Sequence, residues 1–263
     1  AEDIPGDHYH GTIIRDWPSM VGVGEKVRYV GDVVAIVAAE NNMIAGKALD
    51  LIDVVYDELP IVANPVHAHE SGAPKVHEKG NLLKHIKVRK GDTDKGIADA
   101  DVVLEHTFHT ATYDHAFLEP ECSIAQLTPE GRMEIFVGSQ ISYEDREMVA
   151  LALGWPEERV RVVGMLIGGG FGGKEDIAGQ LHAALAAQVT GRPVKVLYSR
   201  EESLRFHPKR HATIIRVKTG AQSDGTLVAV EAELYGDSGA YASLGEKVMT
   251  RATTHATGPY VVE

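Results

Sequence analysis

The segment Gly168-Gly169-Gly170-Phe171-Gly172-Gly173-Lys174-Glu175 constrains this chain more than any other. Its five glycines let the backbone adopt turns closed to other residues and let a neighbour approach the main chain closely. Val160 to Leu166, ahead of it, reads as a strand. Behind it, Ile177, Leu181, Ala184, Leu185 and Gln188 recur at helical spacing and predict a helix from Glu175 to Thr190, stopped by Gly191. A strand, a glycine loop and a helix in that order turn backbone N–H groups toward a positive helix end, where an anionic ligand is the natural guest.

Two other readings compete. Gly168 and Gly173-Lys174 satisfy the G-x-x-x-x-G-K spacing of a nucleotide-binding phosphate loop, but Glu175 stands where a magnesium-binding Ser or Thr is required, and its carboxylate would oppose a triphosphate. No apolar strand ending in a metal-binding Asp follows. The blander alternative is a tightly packed turn that binds nothing.

Around this loop the chain alternates strand and helix patterns. Val33 to Ala38 is a continuous apolar run, read as a strand buried on both faces; Met43 to Asp53 carries helical spacing, and Val54-Val55-Tyr56 returns to strand character. An aperiodic His- and Pro-containing stretch, residues 64–80, sets a domain boundary near residue 66. Beyond it, Lys90 to Asp94 signals a turn and Val102 to His109 a half-buried strand. Met133 to Val137 is a further strand, and Ser142 is positioned to cap a helix that runs to Leu153 and stops at Gly154. Val194 to Tyr198 follows as a strand. Ala212 to Thr219 and Leu227 to Tyr235, joined through Ser223-Asp224-Gly225, read as a hairpin. The expectation is a mixed α/β (α+β) fold with mixed sheets.

Several function classes fall away. With 38 acidic against 26 basic residues, a formal charge of -12 and no Lys/Arg run, the surface repels a phosphate backbone, so no nucleic-acid partner is expected. The single cysteine, Cys122, forms neither an internal disulfide nor an iron–sulfur or zinc ligand set, which fits a cytoplasmic location. The longest apolar run, Val33 to Ala39, is too short to span a bilayer, and Ala1-Glu2-Asp3 lacks the character of a signal peptide. His67, His69, His77, His106, His109 and His115 are spaced too irregularly to suggest a metal site.

The GGGFGGKE string of Gly168 to Glu175 resembles the molybdopterin loop of the xanthine dehydrogenase and aldehyde oxidase family. Four further strings fall in that family's order: Val27-Arg28-Tyr29-Val30-Gly31-Asp32, His115-Ala116-Phe117-Leu118-Glu119-Pro120, Gly138-Ser139-Gln140 and Asp237-Ser238-Gly239-Ala240-Tyr241. The similarity runs from residue 1 to 263. It implies that residues 1–66 are the later part of an α/β hammerhead domain and residues 67–263 the first portion of a molybdopterin-binding domain.

The resemblance also implies roles. Gln140 corresponds to the glutamine whose side-chain amide contacts an oxygen ligand of molybdenum, so it touches the metal indirectly. Gly170, Phe171 and Gly172 correspond to residues whose backbone lies against the cofactor. Glu175 matches the purine-oxidising members, and Arg251 aligns with the arginine opposite that glutamate; together they are the catalytic pair and point to a purine such as xanthine or hypoxanthine. Leu244 falls where the family lines its substrate channel. Read singly, these positions have ordinary explanations: a loop residue, a core aromatic, a carboxylate at a helix start, an exposed helix cation.

The chemistry implied is hydroxylation of an electron-poor ring carbon with water as oxygen source. The cofactor is molybdenum-molybdopterin, plain or as its cytosine dinucleotide. Iron–sulfur clusters and FAD are expected on other domains or subunits, which with the rest of the molybdenum subunit form the partners, alongside the option of self-association. Other substrates within the family, aldehydes or other N-heterocycles, and an inactive structural fragment stay open. The missing initiating Met suggests an excised or processed segment. The family's catalytic glutamate lies in a later region, so the chain alone is expected to bind molybdopterin weakly and to be inactive.

Overall fold

The computed structural model describes residues 3–262; Ala1 and Glu2, from the acidic opening, and Glu263 lie outside the described residues. Along the chain the elements are β1 (Tyr9–His10), β2 (Trp17–Pro18), α1 (Asn42–Leu49), α2 (Thr93–Ala98), β3 (Val102–Thr110), β4 (Cys122–Leu127), β5 (Met133–Val137), α3 (Ser142–Leu153), β6 (Val160–Gly164), α4 (Gln180–Thr190), β7 (Val194–Leu197), α5 (Arg200–Phe206), β8 (Thr213–Ala221), β9 (Leu227–Gly236) and α6 (Gly245–Thr254). They form two compact units, Ala1–Leu59 with Asp114–Arg210, and Pro60–Tyr113 with His211–Glu263.

The first unit is built on a four-stranded sheet in the order β6-β5-β4-β7. β5 and β6 run parallel and the other pairs antiparallel, the mixed sheet that the pattern predicts. On β5 the alternation is strict: Met133, Ile135 and Val137 point into the core and Glu134 and Phe136 away from it. α3 and α4 cover that face through Met148, Val149 and Leu153 and through Leu181, Ala184 and Ala187. Each fully buried Leu or Ile here contributes about 1.5–3 kcal/mol, and the small alanines let α4 lie close to the sheet. Gly154, at φ 66°, takes the left-handed position that ends α3, as its place in the sequence predicts.

Four expectations for this unit are corrected. Val33 to Ala38 forms no strand; Val33 to Val37 are half-buried and Ala38 is exposed, rather than enclosed on both faces. Val54 to Tyr56 is exposed and equally unpaired; neither run finds a ladder partner among the described residues. Ser142 is the first residue of α3 and not its cap: the cap position is Ile141, whose N–H donates to Ser139 Oγ at 2.9 Å. The helix after the glycine loop starts at Gln180 and not at Glu175. Gln180 Oε1 accepts from the Ala178 and Gly179 amides at 2.8 and 2.9 Å, so the helix start is closed by its own side chain.

In the second unit β3, β8 and β9 form an antiparallel sheet in that order, with the expected hairpin between β8 and β9. Asp92 caps α2 by accepting from Lys95 N–H at 3.0 Å. α2 presses on the sheet through glycines: a Cβ on Gly96 would stand 2.9 Å from Ala229 Cβ, and one on Gly220 3.0 Å from Ala100 Cβ. β3 has the predicted extent but not the predicted half-burial. It is the edge strand, and every residue from Val102 to His109 is exposed.

Candidate cofactor site

The turn between β5 and α3 and the loop between β6 and α4 meet in the first unit, and Gln140 joins them. Its backbone N–H donates to the Lys174 carbonyl at 3.0 Å, while its Oε1 accepts from the amides of Gly172 at 3.1 Å and Lys174 at 3.2 Å. The carboxamide thus behaves as a short strand paired with the loop, and Nε2 is turned outward toward Glu175 Oε1 at 3.4 Å. Gln140 is exposed, so an N–H beyond the one near Glu175 remains available.

The glycines have separate reasons. A Cβ on Gly170 would stand 2.5 Å from Gln140 Cδ and closer still to Oε1, so only glycine admits the carboxamide here. Gly172, at φ 84°, faces open space, with nothing within 4 Å of where a Cβ would be. Gly169, at φ 125°, lies beneath the Phe171 ring. Phe171 itself has φ 56° and is 74% exposed. A non-glycine residue in the left-handed region costs of order 1 kcal/mol or more and persists only where its surroundings enforce it. Here the strain lifts an apolar ring outward and leaves the Phe171 N–H with no acceptor among the described residues.

Beneath this surface lies a charged and polar support that sequence reasoning left without a role. Lys174 is 6% exposed; its ammonium pairs with Glu119 Oε1 and sits 4.4 Å from the centre of the Phe117 ring. Glu119 Oε2 accepts from Gly168 N–H at 2.9 Å, which pins the loop entrance. Burial opposes ionisation of Glu119, yet Lys174 and the loop amide hold its carboxyl below the usual range. Beside Gly173 the His115 ring fills the space a Cβ would need, and its Nδ1 is buried without a partner. Burial, helped by Lys209, lowers the His115 pKa against the pull of Asp114 and Glu175.

Deeper still, His207 Nε2 lies 3.4 Å from Glu121 Oε1. Burial pushes His207 down to about 4 and raises Glu121, so the imidazole is neutral and the contact is not an ion pair. The string His115 to Pro120 was the available signal for this support, since it carries both Glu119 and His115. Nothing local in it names Lys174 or His207 as their partners.

Gln140, Gly170, Phe171, Gly172 and Glu175 therefore gather on one surface of the first unit. Glu175 is half-buried, five residues ahead of α4, and its carbonyl accepts from Thr12 Oγ1 at 3.0 Å. No helix dipole acts on it directly, contrary to the sequence expectation. Leu244 and Arg251 belong to the second unit, at the N-terminal boundary and on the exposed side of α6. Among the described residues no cluster of His, Cys, Asp or Glu could itself hold a metal ion, and no helix is long and apolar enough to cross a membrane.

An unengaged loop amide beside an open glycine, an apolar ring and an exposed carboxamide N–H share this surface. They fit a polar, flat cofactor that is gripped through hydrogen bonds and whose metal is carried by the cofactor itself. Residues 76–263 match the family described as molybdopterin cofactor-binding domain, and residues 1–60 match the aldehyde oxidase and xanthine dehydrogenase a/b hammerhead domain. The chain belongs to the aldehyde oxidase and xanthine dehydrogenase family and carries part of its molybdopterin-binding region.

It is 42% identical over 261 residues to the nicotinate dehydrogenase large molybdopterin subunit of Eubacterium barkeri, an alignment covering 98% of this chain and 60% of that protein. It is 40% identical to a probable xanthine dehydrogenase subunit of Bacillus subtilis, over 98% of this chain and 34% of that one. Among solved structures, the aldehyde oxidoreductase of Desulfovibrio gigas superposes with a TM-score of 0.89 at 28% identity, covering 95% of this chain and 29% of that chain. The chain thus spans 60% of the first of these relatives and about a third of the other two.

Proposed function

We propose that this chain supplies the cofactor cradle and part of the substrate pocket of a molybdenum hydroxylase acting on an electron-poor N-heteroaromatic ring, in the first instance a purine such as xanthine or hypoxanthine. The observation that carries the reading is the shared surface of Gln140 Nε2, the unengaged Phe171 amide and the Glu175 carboxylate. When bound, the molybdenum cofactor supplies a two-electron oxidation in which water provides the oxygen; two protons and two electrons leave for each oxygen added. Iron–sulfur and flavin groups on other domains or subunits would accept those electrons.

This chain's residues bind and orient. Gln140, fixed at its oxygen by two loop amides, offers its N–H to an oxygen of the cofactor without gaining charge. Phe171 offers its amide, and its ring keeps water from the reacting face. Glu175 hydrogen-bonds the ring nitrogens of the substrate; for Arg251, permanently charged, the family resemblance implies a role in stabilising negative charge on the substrate. Leu244 lines the approach. None of them is assigned the proton taken from water.

A second reading, nicotinate as substrate, is favoured by the 42% identity to a nicotinate dehydrogenase subunit. Glu175 would then contact the ring nitrogen of a pyridine carboxylate through a proton.

The test is a panel of xanthine, hypoxanthine, nicotinate and benzaldehyde on the complete enzyme, with Glu175→Val and Arg251→Met. Removing a group that hydrogen-bonds the bound substrate lowers kcat/KM for the substrate that used it by about a hundredfold or more and spares a substrate that did not. Purine turnover undiminished in Glu175→Val would overturn the purine reading. Loss confined to nicotinate would move the assignment to the second one.

A further inference from the structure

Behind the cradle lies a carboxyl that the proposed chemistry does not use. Asp145, on the first turn of α3, is completely buried, and its Oδ2 has no hydrogen-bond partner among the described residues. Its Oδ1 accepts from Gln180 Nε2 at 3.2 Å, and Gln180 is itself 4% exposed. The other end of the same carboxamide accepts from the Ala178 and Gly179 amides, the last two residues before α4. On its own side, Asp145 N–H donates to the Ile141 carbonyl at 2.9 Å, and Ile141 N–H donates to Ser139 Oγ at 2.9 Å.

The β5–α3 turn and the glycine loop are therefore joined twice. At the front, Gln140 pairs with Gly172 and Lys174. At the back, Asp145 pairs through Gln180 with the loop's exit. Glu119 pins the loop's entrance and Thr12 the Glu175 carbonyl; the joint through Gln180 adds the fixed point at the exit, and with it the direction in which Gln140 Nε2 and the Phe171 amide point. The joint is costly: the groups Asp145 feels are Ser139 on the turn, Gln180 on α4 and the like-charged Glu144 on its own helix, with no cation among them. Burial foremost, with Glu144, pushes its pKa up to about 6 against the nearby Ser139 hydroxyl and the Gln180 hydrogen bond. A carboxyl held in such a place without a counter-charge is a mark of a positioned group.

We propose that Asp145 is a positioning residue of the cofactor cradle, setting the loop's exit through Gln180 so that Gln140 and Phe171 face one ligand. The inference rests on the reading of Gln140 as a cofactor contact.

The experiment follows molybdenum retained by the complete enzyme after extensive dialysis, together with hydrogen exchange of residues 168–180 read by mass spectrometry, the β8–β9 hairpin serving as internal reference. Asp145→Ala, and Gln180→Met as a variant that keeps the carboxyl and the volume but cuts the link, are each expected to speed exchange of the loop and lower retained molybdenum by about tenfold, the size of a lost hydrogen bond to a charged group. Asp145→Asn, which still accepts from Gln180, is expected to restore both. Wild-type loop exchange and retention in Gln180→Met, or no rescue by Asn, overturns the proposal. Gln140→Ala separates the two levels. If it keeps its molybdenum, the cradle reading itself fails; if it loses molybdenum while Gln180→Met does not, Asp145 alone is discarded.

Discussion

Gly170→Ala is a one-carbon perturbation aimed at the centre of the cradle. The new methyl group would occupy the place of the Gln140 carboxamide, with Cδ 2.5 Å away. Gly170 does not need a left-handed backbone, so the change introduces a collision without dihedral strain. The flexible side chain yields rather than the main chain, and Oε1 then loses the amides of Gly172 and Lys174. At about 1 kcal/mol for each hydrogen bond, the loss is about 2 kcal/mol, a fall of about 4–8 °C in melting temperature for a unit of this size. Displacing a group that orients a metal cofactor costs about 10–100-fold in its retention.

The assay is a double-mutant cycle. Melting temperature and molybdenum content are measured for wild type, Gly170→Ala, Gln140→Ala and the pair. If the methyl acts by expelling Gln140, it does nothing further once Gln140 is alanine, giving an interaction energy of about 1–2 kcal/mol. Equal effects of Gly170→Ala in both backgrounds would refute this account of why glycine stands at 170.

Three further outcomes follow from the buried groups. Glu119→Gln leaves the Lys174 ammonium, 6% exposed, without its counter-ion; because Glu119 itself is partly solvated, the expected loss is about 2–3 kcal/mol by urea denaturation, and a loss below about 1 kcal/mol would contradict the pairing. His10 and His207 are held neutral by burial, with pKa values pushed down to about 3 and about 4. The unfolded chain therefore binds more protons below its own histidine pKa, and stability present above pH 6.5 is lost as the pH falls, by about 2 kcal/mol for each histidine at pH 5. Urea midpoints at pH 7 and 5 measure the slope, which His10→Phe should reduce; an unchanged slope would count against it. Asp145 has the opposite sign. Its folded pKa of about 6 lies above the ordinary 3.8, so its burial costs stability progressively from pH 4 to 6 and fully above. Asp145→Asn is expected to raise stability by up to about 3 kcal/mol at pH 8 and to leave pH 4 unchanged, whereas an equal gain at both would rule out the carboxyl as the cause.

What the sequence made legible was whatever depends on local pattern. β5 follows from alternation at Met133, Ile135 and Val137, the end of α3 from Gly154, and the β8–β9 hairpin from its Ser223-Asp224-Gly225 turn. Gln140 and the glycine loop were legible as strings, and the structure adds that the one is bonded to the other. The rest depends on partners far apart in the chain. α4 starts five residues late because the Gln180 side chain takes the amides that a longer helix would have used. Glu119 and Lys174 are 55 residues apart, and Asp145 and Gln180 are 35 apart, so neither pair leaves a periodic trace. Val33 to Ala38 has strand composition, but strands need neighbours, and among the described residues no strand pairs with it; one backbone bond, Val21 N–H to the Val33 carbonyl, reaches its start.

Anomalous diffraction at the molybdenum edge, from crystals of the complete enzyme, asks where the metal sits relative to the loop that gives this chain its character. The account places the signal beside the Gln140 carboxamide, with cofactor atoms on the Phe171 amide. A molybdenum peak remote from residues 140 and 168–175, with Gln140 still turned only to Glu175, would contradict it.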